Sequence, residues 1–247
     1  MRRFKLTIAY DGSRYYGWQV QKGQVTVQQR VEEAVQKLFP TVKRVHSSSR
    51  TDTGVHALGM VVHVDLPKDE CMDPYKLQMA VNAFLPEDIR VVKAVRARND
   101  FHARFDAKGK QYRYTIWNAP AMNPLLLGKA WHVPSLMDVV RMKGAAKLFV
   151  GKKDFKSFAT TREYEMETTV RRVTRCEVRK KGSELIVTIE GEGFLYKMCR
   201  GMVGTLARVG NGKLTQKDIR SIFRKRDRRM GGMNAPACGL TLMKVKY

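Results

Sequence analysis

The sequence lacks any apolar run near the roughly 18 residues that a bilayer crossing needs. Its opening, MRRFKLTIAYDG, passes into a strand pattern without an apolar signal core. A soluble, cytoplasmic protein with no membrane partner is therefore expected. Cysteine is sparse: Cys71, Cys176, Cys199 and Cys238 are scattered without a C-x-x-C pair, which excludes a zinc knuckle and a disulfide framework and leaves reduced, mostly packing thiols. The histidines (His46, His56, His63, His102 and His132) show no H-E-x-x-H or comparable ligand spacing, so no metal is expected. Low-complexity linkers are absent as well. Acidic charge is the most conspicuous shortage, with 23 Asp plus Glu against 47 Lys plus Arg and a formal net charge of +24. So lopsided a balance repels itself within a compact chain and points to a polyanionic partner, nucleic acid before an acidic membrane.

What is present organises itself into two similar halves. FKLTIAYDG reads as a strand stopped by Asp11 and Gly12. Thr26 and Gln29 have capping-box spacing ahead of an apolar stripe at Val27, Val31, Ala34, Val35 and Leu38, a helix ended by Pro40. In GMVVHVDL, Met60, Val62, Val64 and Leu66 share one strand face. Asp73 and Pro74 open a second helix carrying Leu77, Val81, Phe84 and Leu85 inward, and IRVVKAVRA closes a βαββαβ order. The second half repeats it: strand KQYRYTIWN, a helix capped by Ser135 with Leu136, Val139 and Val140 apolar, two strands hinged at Lys181-Gly182, a helix from about Leu195 to Val209, an extra helix TQKDIRSIFRKRDRR, and the strand GLTLMKVKY. The predicted class is α+β: two ferredoxin-like units, residues 1–104 and 105–247, abutting in one extended antiparallel sheet with helices on one face and an RNA-binding cleft on the other.

Chemistry concentrates in SSSRTDTGVHALGM. In extended backbone, Arg50 and Asp52 fall on one side and Thr51 on the other. A guanidinium beside Asp52 favours the ionised carboxylate, and Gly54 permits a tight turn. The pattern suits a carboxylate that attacks a sugar carbon or stabilises charge on it. The pentapeptide RTDTG alone equally suits an ordinary hairpin turn with Asp52 accepting backbone N–H bonds.

SSSRTDTGVHALGMVVH resembles the catalytic motif of the TruA family of tRNA pseudouridine synthases, usually GAGRTDAGVHA. AYDGSRYYGWQVQ, VNAFLPEDIRV, FHARFDAKGKQYRYTIWN, GKKDFKSF, GEGFLYKMCRGMVGTLARVGNGK and APACGLTLMKVKY each resemble a family block, in the family's order. The resemblance implies a pseudouridine synthase fold and isomerisation of uridine to pseudouridine on the 3′ side of the tRNA anticodon stem-loop. It implies no metal or organic cofactor, and a homodimer acting on tRNA. It puts Asp52 in the place of the essential aspartate, which either attacks C1′ or helps remove the C2′ proton. Arg50 falls on the arginine that holds the flipped-out state, Tyr112 on the tyrosine that stacks on uracil, Arg200 on the basic partner of the aspartate, and Leu240 on an apolar wall.

The residues themselves are compatible with those roles. An aromatic face lets a detached uracil turn in its plane, with stacking worth about 1–3 kcal/mol per base. Flipping costs a few kcal/mol, which phosphate contacts from Arg14, Lys22, Arg171, Arg172, Arg226, Arg228 and Arg229 would offset. His56 is expected to contact RNA or pack the turn rather than act as a base. The chain departs from the family pattern at Ser47-Ser48-Ser49 (usually Gly-Ala-Gly), Thr53, Cys199, Gly201 (usually Asn) and Thr241. The alternative reading is a non-catalytic RNA-binding protein of the same fold, although the usual RNA-recognition signature of glycine and spaced aromatics is missing. A metal-dependent nuclease would need a carboxylate and histidine cluster and would lose activity to EDTA.

Overall fold

The computed structural model describes residues 1–67, 72–160 and 168–247; Cys71 lies outside them. The expected α+β class is found: ten mostly antiparallel strands and five α-helices among the described residues. The chain divides into two compact units, 1–108 with 242–247, and 109–241.

In the first unit, β1 (Arg2–Tyr10), β3 (His56–Leu66) and β4 (Ile89–Arg96) form an antiparallel sheet ordered β4-β1-β3, with the short β2 (His46–Ser47) paired to β3. The expected stripe of β3, Met60, Val62, Val64 and Leu66, is fully buried. Its other face is covered too. Val61 packs with Phe101 and Ala103 under Val245 and Tyr247. Helix α1 (Val27–Leu38) begins where the Thr26 hydroxyl accepts the Gln29 N–H, a cap worth about 1 kcal/mol. It buries Val27, Val31, Ala34 and Val35. Helix α2 (Pro74–Phe84) is capped by Asp73, which accepts the N–H groups of Tyr75 and Lys76. Leu77 and Val81 point inward, but Phe84 is 44% exposed, its ring covered by the Lys37 ammonium at 5.2 Å.

His63 sits in this core at 2% exposure. Burial first, then the nearby Arg3 charge, pushes its pKa down to about 4. Because the unfolded chain then binds more protons than the fold below about pH 6.5, stability falls as pH drops from 6.5 towards 4 and levels off below. Between pH 7 and 4.5 this one ring is expected to cost roughly 2–3 kcal/mol. Urea midpoints at the two pH values are expected to separate more for wild type than for His63→Gln; equal separations would refute the assignment.

In the second unit, β5 (Gly109–Trp117), β7 (Gly151–Asp154), β8 (Val170–Lys181) and β9 (Glu184–Gly191) are ordered β5-β9-β8-β7, and β6 (Trp131–His132) pairs parallel to β5. The last strand, β10 (Leu240–Lys246), begins in this unit and runs on in the first. Helix α3 (Val139–Ala146) starts three residues later than the Ser135 cap predicted, because Asp138 takes the cap by accepting the Arg141 N–H. Asn118 holds the preceding segment extended, donating to the Val133 and Ser135 carbonyls and accepting the Met137 N–H. Leu136 therefore faces solvent, and Val140 does so from the outer side of α3. Helix α4 (Met198–Gly210) starts after Lys197 and buries Met198, Met202, Val203, Leu206 and Val209 as expected. Helix α5 (Gln216–Lys225) opens on a Thr215–Asp218 capping box and stops at Arg226, whose left-handed φ of 51° ends it before the basic run.

Candidate active site

The loop carrying Asp52 joins β2 to β3 and is held from below by the loop that follows β1. Tyr10 donates or accepts a hydrogen bond with Thr51 Oγ1 at 2.8 Å, the Trp18 N–H donates to the Thr51 carbonyl at 3.1 Å, and the Gly54 N–H donates to the Tyr15 carbonyl at 3.3 Å. Desolvation raises the Tyr10 phenol's pKa well above its ordinary value, so it stays a neutral anchor. The Val55 N–H closes a turn on the Asp52 carbonyl at 3.1 Å, through Gly54 at a φ of 77°. Side chains alternate as predicted: Arg50 is exposed, Thr51 buried and Asp52 half-buried. The clamp on Thr51 thus fixes the backbone on which Asp52 is mounted. Sequence reading missed it, because its hydrogen bonds join segments about forty residues apart.

The serine triplet is largely inside. The Ser48 N–H donates to the Val61 carbonyl at 2.8 Å, and the Ser47 hydroxyl donates to the Ser49 carbonyl at 3.0 Å. Among the described residues, Ser49 Oγ is buried without a hydrogen-bond partner. A buried hydroxyl left unsatisfied costs about 1–3 kcal/mol, so Ser49→Ala is expected to raise stability by about 1 kcal/mol. A urea midpoint lower than wild type would show the hydroxyl to be satisfied.

The three possible RNA contacts of this unit differ. Arg14 keeps its guanidinium 76% exposed while pairing with Asp88 at 2.7 Å, and Lys22 is exposed beside the Gln21–Gln24 turn. His56 is 5% exposed, with Nδ1 3.0 Å from both the Gly12 N–H and Asp11 Oδ1. The ring therefore packs the turn.

Tyr112, Arg200 and Leu240 lie in the second unit. Tyr112 and Tyr114 share the buried face of β5, with Tyr112 edge-on to Phe194 at 5.4 Å. Arg200 occupies the first turn of α4, where the helix dipole disfavours a cation, so helix stability does not account for its position. Its Nε donates to the Ala235 carbonyl at 2.7 Å, and the Ala235 N–H returns to the Arg200 carbonyl at 3.1 Å. Tyr114 donates to the Pro236 carbonyl at 2.7 Å, and Cys238 Sγ lies 3.6 Å from the Ala130 carbonyl. These bonds latch segment 235–240 onto α4 and β5 just before Leu240, which is 6% exposed. Lys197, ahead of α4, takes a left-handed φ of 57°, a strained conformation of the sort that gathers at functional sites. Gly201 explains one departure from the family pattern: a Cβ there would lie 2.1 Å from the Phe158 carbonyl oxygen.

The remaining arginines are engaged locally. Arg226 pairs with Asp154, Arg229 with Asp227 and Arg172 with Glu192, while Arg228 donates to the Gly232 carbonyl and Arg171 to the Val170 carbonyl. The first three remain mostly exposed, so a phosphate can compete for them.

A family model described as tRNA pseudouridine synthase matches residues 6–106 and 145–247, a span holding Arg50, Asp52, Arg200 and Leu240. The chain is 42% identical over 247 residues to a tRNA pseudouridine synthase A of Geotalea uraniireducens, covering 100% of both chains. It is 43% identical over 249 residues to the protein of that name from Bacillus licheniformis (99% of each), and 41% over 244 residues to that from Methylacidiphilum infernorum (99% of this chain, 95% of the relative). With matches running through both units, the chain belongs to the tRNA pseudouridine synthase family, isomerases that convert uridine to pseudouridine.

Proposed function

We propose that this isomerase acts on uridines on the 3′ side of the tRNA anticodon stem-loop, with Asp52 as the nucleophile. The observation that carries the reading is the mounting of Asp52: a half-buried carboxylate on a glycine turn whose preceding residue is clamped by Tyr10 and Trp18. Pre-positioning of this kind is what attack at a sugar carbon demands, because misplacement by about 1 Å costs on the order of 100-fold in rate.

In this reading Asp52 attacks C1′ as the N1–C1′ bond breaks and uracil leaves with the electron pair. The base turns, C5 bonds to C1′ as the aspartate departs, the C5 proton is lost to solvent and N1 takes up a proton in its place. Tyr112 offers a face against which the ring turns. Arg200 supplies positive charge and Leu240 an apolar wall. Arg50, exposed and two residues before the nucleophile, holds the flipped nucleotide, while Arg14 and Lys22 take phosphates. His56 serves as packing of the turn. No cofactor is required, since the reaction exchanges one bond to carbon for another without net oxidation.

No helix among the described residues is long and apolar enough to cross a membrane. We extend the proposal to a cytoplasmic homodimer, for which light scattering is expected to give twice the chain mass of 28.3 kDa. The activity test is tritium release from an unmodified tRNA transcript carrying 5-³H-uridine, run with EDTA. Release is expected at full rate. Binding without release would favour the non-catalytic alternative, and loss to EDTA would favour metal chemistry.

A further inference from the structure

Three imidazoles scattered through the sequence meet on the first unit. His46 of β2 faces His63 of β3 in register, their rings stacked 4.8 Å apart at 14°. His102, beyond β4, meets His63 edge-on at 4.8 Å, and Phe105 lies over His102 at 4.2 Å. One nitrogen from each ring lies within 4.8 Å of the others.

The cluster suggests a metal, but its details oppose one. Three nitrogens bound to zinc at about 2.0–2.1 Å stand no more than about 3.6 Å apart, well inside the span seen here. The hydrogen bonding is also reversed. His63 Nδ1 accepts the Ala103 N–H at 3.1 Å, and His102 Nδ1 accepts those of Arg104 at 3.1 Å and Phe105 at 3.3 Å. A neutral ring so engaged carries its proton on Nε2, whereas a histidine ligating through Nε2 presents its other nitrogen as a donor. His63 and His102 are thus set as N–H donors through Nε2.

The setting suits an anion joined to a nucleobase. Phe105 is 74% exposed, and the Arg104 guanidinium lies 5.6 Å from its ring centre. The other charges facing the cluster are Arg3 of β1, held by Asp65 of β3 at 2.6 Å, and Asp106, which accepts the His102 N–H at 3.0 Å. We propose that His46, His63 and His102 form a phosphate subsite that takes an oxygen of an RNA phosphodiester, with Phe105 stacking on an adjoining base. The inference rests on tRNA being the substrate, and it assigns a contact that the Asp52 site does not include. Burial, with Arg3 contributing, keeps His63 and His102 neutral at pH 7.

The test measures binding of an unmodified tRNA transcript to the full-length protein by fluorescence anisotropy at pH 7. His46→Gln with His102→Gln, leaving the buried His63 in place, is expected to weaken binding about 10-fold. Phe105→Ala is expected to weaken it about 5–10-fold. Histidine ¹⁵N NMR of the wild type is expected to show imidazole shifts with inorganic phosphate. Shifts with phosphate but unchanged tRNA binding in all variants would mark a free-oxyanion site and overturn the RNA assignment. Tight zinc binding that the double variant loses would replace it with a metal site. Wild-type tRNA affinity in every variant, together with normal pseudouridine formation, would overturn the subsite alone. No tRNA binding by the wild type would remove the substrate reading itself.

Discussion

Asp52→Asn is expected to abolish pseudouridine formation while leaving the fold and tRNA affinity intact. The amide keeps the size and shape of the carboxylate but is a poor nucleophile and carries no charge. Loss of an attacking group costs at least about 10⁴-fold in rate, compared with the about 2-fold or smaller change expected in binding. Three measurements separate these quantities. Far-ultraviolet circular dichroism reports the fold, anisotropy reports affinity, and tritium release under single-turnover conditions reports the chemistry. Retained release at a tenth of the wild-type rate would remove Asp52 from the reaction. Weakened binding with proportionate loss of rate would reduce it to an RNA contact.

The second large effect is expected away from any reacting atom. Gly17 adopts a φ of 81°, and a Cβ there would lie 2.5 Å from the Thr51 carbonyl oxygen and 3.1 Å from the Asp52 carbonyl carbon. Gly17→Ala therefore combines backbone strain with a collision against the loop that carries the nucleophile. A stability loss of about 1–3 kcal/mol is expected from strain and overpacking, and a fall on the order of 100-fold in turnover from displacement of Asp52. Gly182→Ala separates the two causes. Gly182 also has a positive φ, 56°, but its added Cβ meets nothing within 4 Å, so only the backbone cost applies and activity is expected to hold. Equal activity losses in the two variants would contradict the proposed coupling through Thr51.

The local rules that succeeded depend on neighbours in sequence. Thr26, Asp73 and Thr215 cap the helices they precede because each cap bond reaches only two or three residues ahead. The alternation of β3 was legible for the same reason. The rule failed at Ser135: Asn118, far back in the chain, holds the segment through Met137 extended, so Leu136 faces solvent and the helix begins only at Val139. The same limit applies to the site. Arg50, Thr51 and Asp52 show their alternation in the sequence, but RTDTG alone does not separate a catalytic loop from a hairpin. The clamp from Tyr10 and Trp18, the latch of Ala235 and Pro236 on Arg200 and Tyr114, and the meeting of His46, His63 and His102 all join distant segments. Helical and strand periodicities carry no information about such contacts.

The central claim is that this chain turns uridine into pseudouridine in the tRNA anticodon arm. Carbodiimide mapping at single-nucleotide resolution, on unmodified tRNA transcripts before and after incubation with the wild-type protein, tests it most directly. New primer-extension stops are expected on the 3′ side of the anticodon arm, and none with Asp52→Asn. No new stops with the wild-type protein, or stops confined to other arms of the tRNA, would contradict the account.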